Sequence, residues 1–228
     1  MTNSTYIAPL LLMFQENTVS DDAAAMKKYL RDQFPFFGIK APKRKELLKQ
    51  FWKMQGPPSV DTTPGIVREL WACPERECHY SAMFLLEKMR KKLPAATIDL
   101  IEELIVTKSW WDTVDFLSSH DTGYYFKQFP QLKETHLARW RQSENIWLRR
   151  SAILYQLKYK TETDTELLFA IIRENLGSKE FFINKAIGWA LREYSKVDET
   201  AVITFVQNTD LHSLSEREAL KWLNSRKK

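Results

Sequence analysis

WLRRSAILYQL at 147–157 and FFINKAIGWAL at 181–191 are the stretches that decide the fold. Set about 34 residues apart, they match position by position: Trp147-Leu148 with Phe181-Phe182, Ala152-Ile153 with Ala186-Ile187, and Leu157 with Leu191. Ala82-Met83-Phe84-Leu85 is a weaker echo of the same pattern. A period of this size fits a helix pair that buries its apolar side against the next pair, so the repeat predicts a right-handed stack of antiparallel helices. Punctuation agrees. Phe-Pro-Phe-Phe-Gly at 34–38, Gly-Pro-Pro at 56–58, Pro94, Gly123, Pro130 and Gly177 leave helix-length segments between them.

Composition points the same way. The chain has 228 residues, 44% hydrophobic, with only 6 glycines and 9 prolines, and its long periodic stretches are rich in Leu, Lys, Glu and Ala. That balance favours helices over a turn-rich sheet and allows a sizeable core in one domain or an elongated array. The expectation is an all-α chain, 1–228, forming a single helical-repeat domain: a curved α-solenoid with a concave basic groove. A formal charge of +5 and a pI near 9.1 permit a polyanionic partner without requiring one. No apolar run reaches spanning length, and the opening Met-Thr-Asn-Ser-Thr-Tyr lacks the pattern of a secretory signal, so a cytoplasmic location without membrane association is expected.

Two tryptophans stand opposite the apolar sides of their helices. At about 100° per residue, Trp110, Val114 and Leu117 share one side, and Trp111, Asp115, Ser118 and Ser119 the other. Ile183, Ala186, Ile187, Ala190 and Leu191 likewise leave Lys185, Trp189 and Arg192 together opposite them. A large aromatic outside the core marks a binding surface, and here the two faces suit a flat or cationic ligand on a polyanion. Trp111, Arg150 and Trp189 are spaced by roughly one repeat, so corresponding helices would bring them to one inner wall.

Other chemistry is poorly supported. Cys73 and Cys78 have neither the redox spacing nor a complete zinc set around them and read as thiols in a reducing compartment. His79, His120, His136 and His212 fix neither a metal nor a nucleophile and base pair. No cofactor and no metal are expected.

The chain resembles the AlkD-type DNA alkylation repair glycosylases, built from HEAT-like repeats, over nearly its whole length. The residues that carry the resemblance are YLRDQFPFFGI at 29–39, SWWDTVD at 109–115, WLRRSAI at 147–153 and KAIGWALREYS at 185–195. The resemblance implies excision of positively charged alkylated purines, such as 3-methyladenine and 7-methylguanine, from duplex DNA. It places an aspartate and two tryptophans at the lesion, an arginine on the nearby DNA backbone, and a tyrosine near the start. Asp115, Trp111, Trp189, Arg150 and Tyr29 stand at the matching positions. A monomer working on DNA in the bacterial cytosol, nucleoid-associated when bound, is the corresponding expectation.

Breaking an N-glycosidic bond builds positive charge on the sugar, which a fixed carboxylate stabilises, or it positions the attacking water. Asp115 is the candidate, against the plainer reading of a solvated helix-face carboxylate. Trp111 and Trp189 would hold sugar and cationic base through face contacts, or else pack the repeat. Arg150 wants an anion, and a DNA phosphate, Asp115, or a structural ion pair between repeats would each supply one. Lys40, Lys43, Arg44, Lys45, Arg149, Lys185 and Arg192 form the phosphate-contacting set, with Lys43-Arg44-Lys45 following Pro42 at a helix start. Tyr29, ahead of Phe-Pro-Phe-Phe, could instead be core. His120, the nearest alternative acid, projects about 140° from Asp115 on an α-helix. The competing class is a non-catalytic helical-repeat module that binds DNA or a protein, since a repeat scaffold alone implies binding rather than chemistry.

Overall fold

The computed structural model describes residues 3–226, and every regular element among them is helical. None of these helices is long and apolar enough to cross a membrane. The chain divides into two compact units, Met1–Thr97 and Ile98–Lys228.

The first unit contains α1 (Asn3–Glu16), α2 (Ser20–Tyr29), α3 (Ala41–Gln55), α4 (Thr63–Ala72) and α5 (Arg76–Met89). Its organising feature is the loop between α2 and α3. Gly38 has φ +85°, and a Cβ there would lie 2.1 Å from the Val19 carbonyl oxygen, so only glycine lets the loop cross the start of α2. The amides of Phe37, Gly38 and Ile39 all donate to the fully buried Glu77 carboxylate, at 3.1, 2.9 and 3.0 Å. The neighbouring Arg76 guanidinium is also fully buried, lies 3.8 Å from the centre of the Phe34 ring, and contacts His79 Nδ1 at 3.1 Å. A charge taken out of water needs this degree of hydrogen bonding to persist. The loop that carries the chain from Tyr29 to the basic start of α3 is therefore pinned.

The second unit takes in α6 (Thr97–Val106), α7 (Trp111–Phe116), a π-helical stretch at Leu117–Thr122, α8 (Gly123–Gln128), the short α9 (Pro130–Leu132), a second π-helical stretch at Lys133–Leu137, α10 (Ala138–Arg141), α11 (Ile146–Leu154), α12 (Thr165–Glu174), α13 (Phe181–Tyr194), α14 (Glu199–Gln207) and α15 (Ser213–Ser225). Side chains close several starts: Asn145 Oδ1 accepts from the Trp147 amide at 2.9 Å, Asp164 Oδ1 from Leu167 at 3.0 Å and Asp198 Oδ1 from Ala201 at 2.8 Å.

Several polar contacts join helices well separated in sequence. Trp140 Nε1 donates to Glu102 at 2.8 Å across 38 positions, Lys127 to Glu162 at 2.7 Å across 35, and the Ser118 and Ser151 hydroxyl oxygens lie 2.8 Å apart across 33. The apolar faces of α7 and α13 go inward as expected: Val114, Leu117, Ile183, Ala186, Ile187 and Leu191 are at most 1% exposed. The opposite face of α7 departs from expectation. Ser118 and Ser119 are buried rather than solvent-facing, with Ser118 fully enclosed and donating to the Val114 carbonyl at 2.6 Å. The cause is packing: this face lies against α11, where Ser151 Oγ is 2.8 Å from Ser118 Oγ.

Candidate functional site

Four helices of the second unit enclose a cleft of about 480 Å³. Trp111 and Asp115 enter it from α7, Arg150 from α11, Phe181, Phe182, Lys185, Trp189 and Arg192 from α13, and Glu218 and Lys221 from α15. The expected convergence of Trp111, Asp115, Arg150 and Trp189 is thus present within this unit. Both tryptophans are half-buried, which leaves part of each ring for a ligand.

At the centre Arg150 grips Asp115. Nε donates to Oδ1 at 2.7 Å and Nη2 to Oδ2 at 2.9 Å, while Nη1 donates to the Phe182 carbonyl. The Arg150 side chain is 3% exposed and that of Asp115 15%. Of the anions weighed for Arg150, the structure supplies Asp115, so its fork is committed before any phosphate arrives. Burial pushes the Asp115 carboxyl above the usual carboxylate range; the Arg150 guanidinium opposes that shift by charge and hydrogen bond, and Asp112 adds a smaller upward push. Two N–H groups aimed at two carboxylate oxygens demand the ionised form, so at neutral pH Asp115 is an oriented negative charge with desolvated surroundings.

Behind this pair stands an aromatic cluster. Trp110 lies 5.1 Å from Phe182 and 5.9 Å from Trp147, ring centre to ring centre, and Trp147 lies 5.0 Å from Phe182. The Trp110 indole N–H is buried and makes no hydrogen bond. Trp110 therefore braces the cleft while its neighbour Trp111 faces it.

On the other wall α13 and α15 approach closely. A Cβ on Gly188 would fall 2.5 Å from Glu218 Cβ and 2.7 Å from the Ser215 carbonyl oxygen, so the glycine sets that distance. Ser215 Oγ donates to the Asn184 carbonyl at 2.9 Å along the same seam. Glu218 then reaches both cations beside Trp189, with Lys185 Nζ on Oε1 at 2.8 Å and Arg192 Nη1 on Oε2 at 3.1 Å. The hydrogen bond from Lys185 holds the Glu218 carboxyl below its usual range against the effect of burial. Sequence reasoning missed Glu218; the one signal for it was a glycine in the middle of α13, which marks a close helix approach.

The other expected phosphate contacts are distributed elsewhere. Arg149 points away from the cleft into a shallow hollow beside Arg141 and Glu174, donating to the Ser143 carbonyl at 3.3 Å. In the first unit Tyr29 is 71% exposed, which removes the core reading. Lys40 pairs with Asp22 at 2.8 Å, Lys43 with Glu46 at 3.0 Å, and Lys45 is exposed. Arg44 lies over the Tyr80 ring at 4.5 Å, and desolvation lowers its pKa from the usual guanidinium value.

A larger cavity, about 820 Å³, shares Trp189 with the cleft and is rimmed by Lys158, Lys160 and Lys196. Its acidic lining residue, Glu193, pairs with Lys196 at 2.6 Å on the same helix end. Cys78 offers no alternative nucleophile: a hydrogen bond with Cys73, together with burial, pushes its thiol far above the ordinary range.

Known proteins share this architecture. A solved structure described as a predicted DNA alkylation repair enzyme from Enterococcus faecalis superimposes with a TM-score of 0.84 at 32% identity, over 90% of this chain and 96% of that one. Among curated proteins none matches. Residues 10–223 match the family model for DNA alkylation repair enzymes, and the chain belongs to that family.

Proposed function

We propose that the protein is a DNA glycosylase that hydrolyses the N-glycosidic bond of positively charged alkylated purines in duplex DNA, acting as one helical-repeat domain and as a monomer. The observation that supports this best is a single one: Asp115, fixed by both arms of Arg150, in a cleft whose walls are Trp111 and Trp189. As the bond to the base lengthens, positive charge grows on the sugar, and a carboxylate already oriented and partly desolvated stabilises it without reorganising. The same carboxylate can position the water that attacks the sugar carbon. Face contacts with the two indoles suit both the cationic base and the developing cation.

In this reading Asp115 is the catalytic residue with Trp111 and Trp189, and Arg150 is a positioning residue that acts through Asp115. Tyr29, Lys40, Lys43, Arg44, Lys45 and Arg149 are the contacts proposed for the duplex outside the cleft. The chemistry calls for neither metal nor cofactor.

The deciding experiment incubates purified protein with methylated duplex DNA and separates the released bases by chromatography, with and without a chelator. Release of 3-methyladenine and 7-methylguanine in both conditions is expected. Retained DNA binding with no base release would instead favour a non-catalytic binding module.

A further inference from the structure

Glu218 is the carboxylate of the cleft that this chemistry leaves unused. Its residue is 7% exposed, and it takes up both cations that flank Trp189. Lys185 and Arg192 are seven positions apart on one helix, roughly 10 Å at about 1.5 Å per residue, so a single carboxylate bridges them only from opposite the middle of the span. Gly188 occupies that middle and is what lets Glu218 in. Cations beside a ligand-facing tryptophan in a DNA-binding cleft would ordinarily go to phosphates. These two are turned to a buried acid instead.

We propose that Glu218 is a specificity-determining residue: it withholds Lys185 and Arg192 from DNA phosphates and lowers the positive potential beside Trp189, so that the cleft gains less from a backbone common to every duplex and repels the positive charge of an alkylated base less. The inference rests on the glycosylase reading above. Two effects act in the same direction. A cation released onto a phosphate strengthens binding to intact and damaged DNA alike and steepens the plot of log K against log salt by about 0.9. The same cation, freed of its carboxylate, raises the positive potential where a cationic base must sit. Both reduce the preference for the lesion.

The test measures equilibrium binding to an intact duplex and to one carrying a single 7-methylguanine on a 2′-fluoroarabinose sugar, which resists cleavage, over a range of salt. With Glu218→Gln, affinity for the intact duplex should rise about tenfold at low salt and the salt slope should steepen by about 1 to 2, so that the ratio of the two affinities falls. Adding Lys185→Gln and Arg192→Gln to that variant should cancel the gain. Glu218→Asp, one methylene shorter, is the second variant should the amide fold poorly; holding one cation rather than two, it should give about half the change in slope. Wild-type discrimination combined with an unchanged slope in a folded Glu218 variant would overturn the proposal alone. Failure of the wild type to bind either duplex would overturn the reading beneath it as well.

Discussion

Arg150 meets Asp115 with Nε and Nη2 at once, at 2.7 and 2.9 Å, across 35 positions of sequence. A bidentate pair of this kind orients a carboxylate in two dimensions, which a single contact does not. It also ties α7, which carries Trp111, to α11.

The pH dependence follows from the burial of that carboxylate. Because the Asp115 carboxyl lies above its ordinary value of about 3.9, excision, which needs the ionised form, should fall as pH drops through the raised value, earlier than an ordinary aspartate would allow. Its effect on stability has the opposite sign: a raised folded pKa contributes stability that is complete below the unfolded value and lost as pH rises through the folded one. Asp115→Asn should remove the acidic limb of the rate profile and lower single-turnover excision about a hundredfold, matching roughly 3 kcal/mol for one preorganised group. The measurement is excision against pH, corrected for spontaneous depurination, at a temperature where circular dichroism shows the variant folded. A wild-type limb that survives in the variant would assign it to another group.

Arg150 should act on rate and not on phosphate binding. Its guanidinium is spent on Asp115 and the Phe182 carbonyl and its side chain is 3% exposed, so Arg150→Gln should leave the salt dependence of DNA binding unchanged while slowing excision. A slope flatter by about 0.9 would show a phosphate contact.

Much of this was legible in the sequence because it depends on α-helical spacing alone. Trp189 beside Lys185 and Arg192, and Trp111 beside Asp115, follow from positions three, four and seven apart on straight α-helix. Ser118 and Ser119 were misplaced because projection marks a polar face without saying what covers it, and here Ser151 of α11 lies 2.8 Å from the Ser118 hydroxyl. The partner of Arg150 stayed open for a different reason: three anions were compatible with it, and only the packing of α7 on α11 selects one. Glu218 was marked only indirectly, by Gly188 in α13, because its meaning depends on a helix about thirty positions away. Periodicity assigns faces; it does not say which faces meet.

Trp110 and Trp189 separate support from site. Trp110, with a buried indole nitrogen and contacts to Trp147 and Phe182, should cost about 3–5 kcal/mol when replaced by Ala, whereas Trp189→Ala should shift the melting temperature far less and slow excision more. Thermal unfolding of the two variants, paired with single-turnover rates, is the check. Equal destabilisation would return Trp189 to the core.

Gly188→Ala sets two opposing effects against each other. Alanine improves a helix interior by up to about 1 kcal/mol, but its Cβ would meet Glu218 Cβ and the Ser215 carbonyl well inside contact distance, and overpacking of this kind costs about 1–3 kcal/mol. The clash involves backbone, which cannot rotate away, so net destabilisation is expected, read as a lower urea midpoint. An increased midpoint would show that α15 slides without cost and that the Glu218 bridge is not held in place by this seam.

The substrate range is limited by the leaving group. Alkylation at N3 of adenine or N7 of guanine makes the base cationic, so it departs neutral and needs no proton. Hypoxanthine departs as an anion unless a general acid protonates it. Neither carboxylate of the cleft suits proton donation, because Asp115 is held ionised by Arg150 and Glu218 is kept below its usual range chiefly by Lys185. His120, whose 140° offset from Asp115 loses its basis in the π-helical stretch, is stacked on Phe116 at 4.1 Å and is not among the residues lining the cleft. Release of 3-methyladenine and 7-methylguanine with little or no release of hypoxanthine is therefore expected under identical single-turnover conditions. Comparable rates on hypoxanthine and 7-methylguanine would reveal a proton donor in the cleft, and the dependence of the hypoxanthine rate on pH would then identify it.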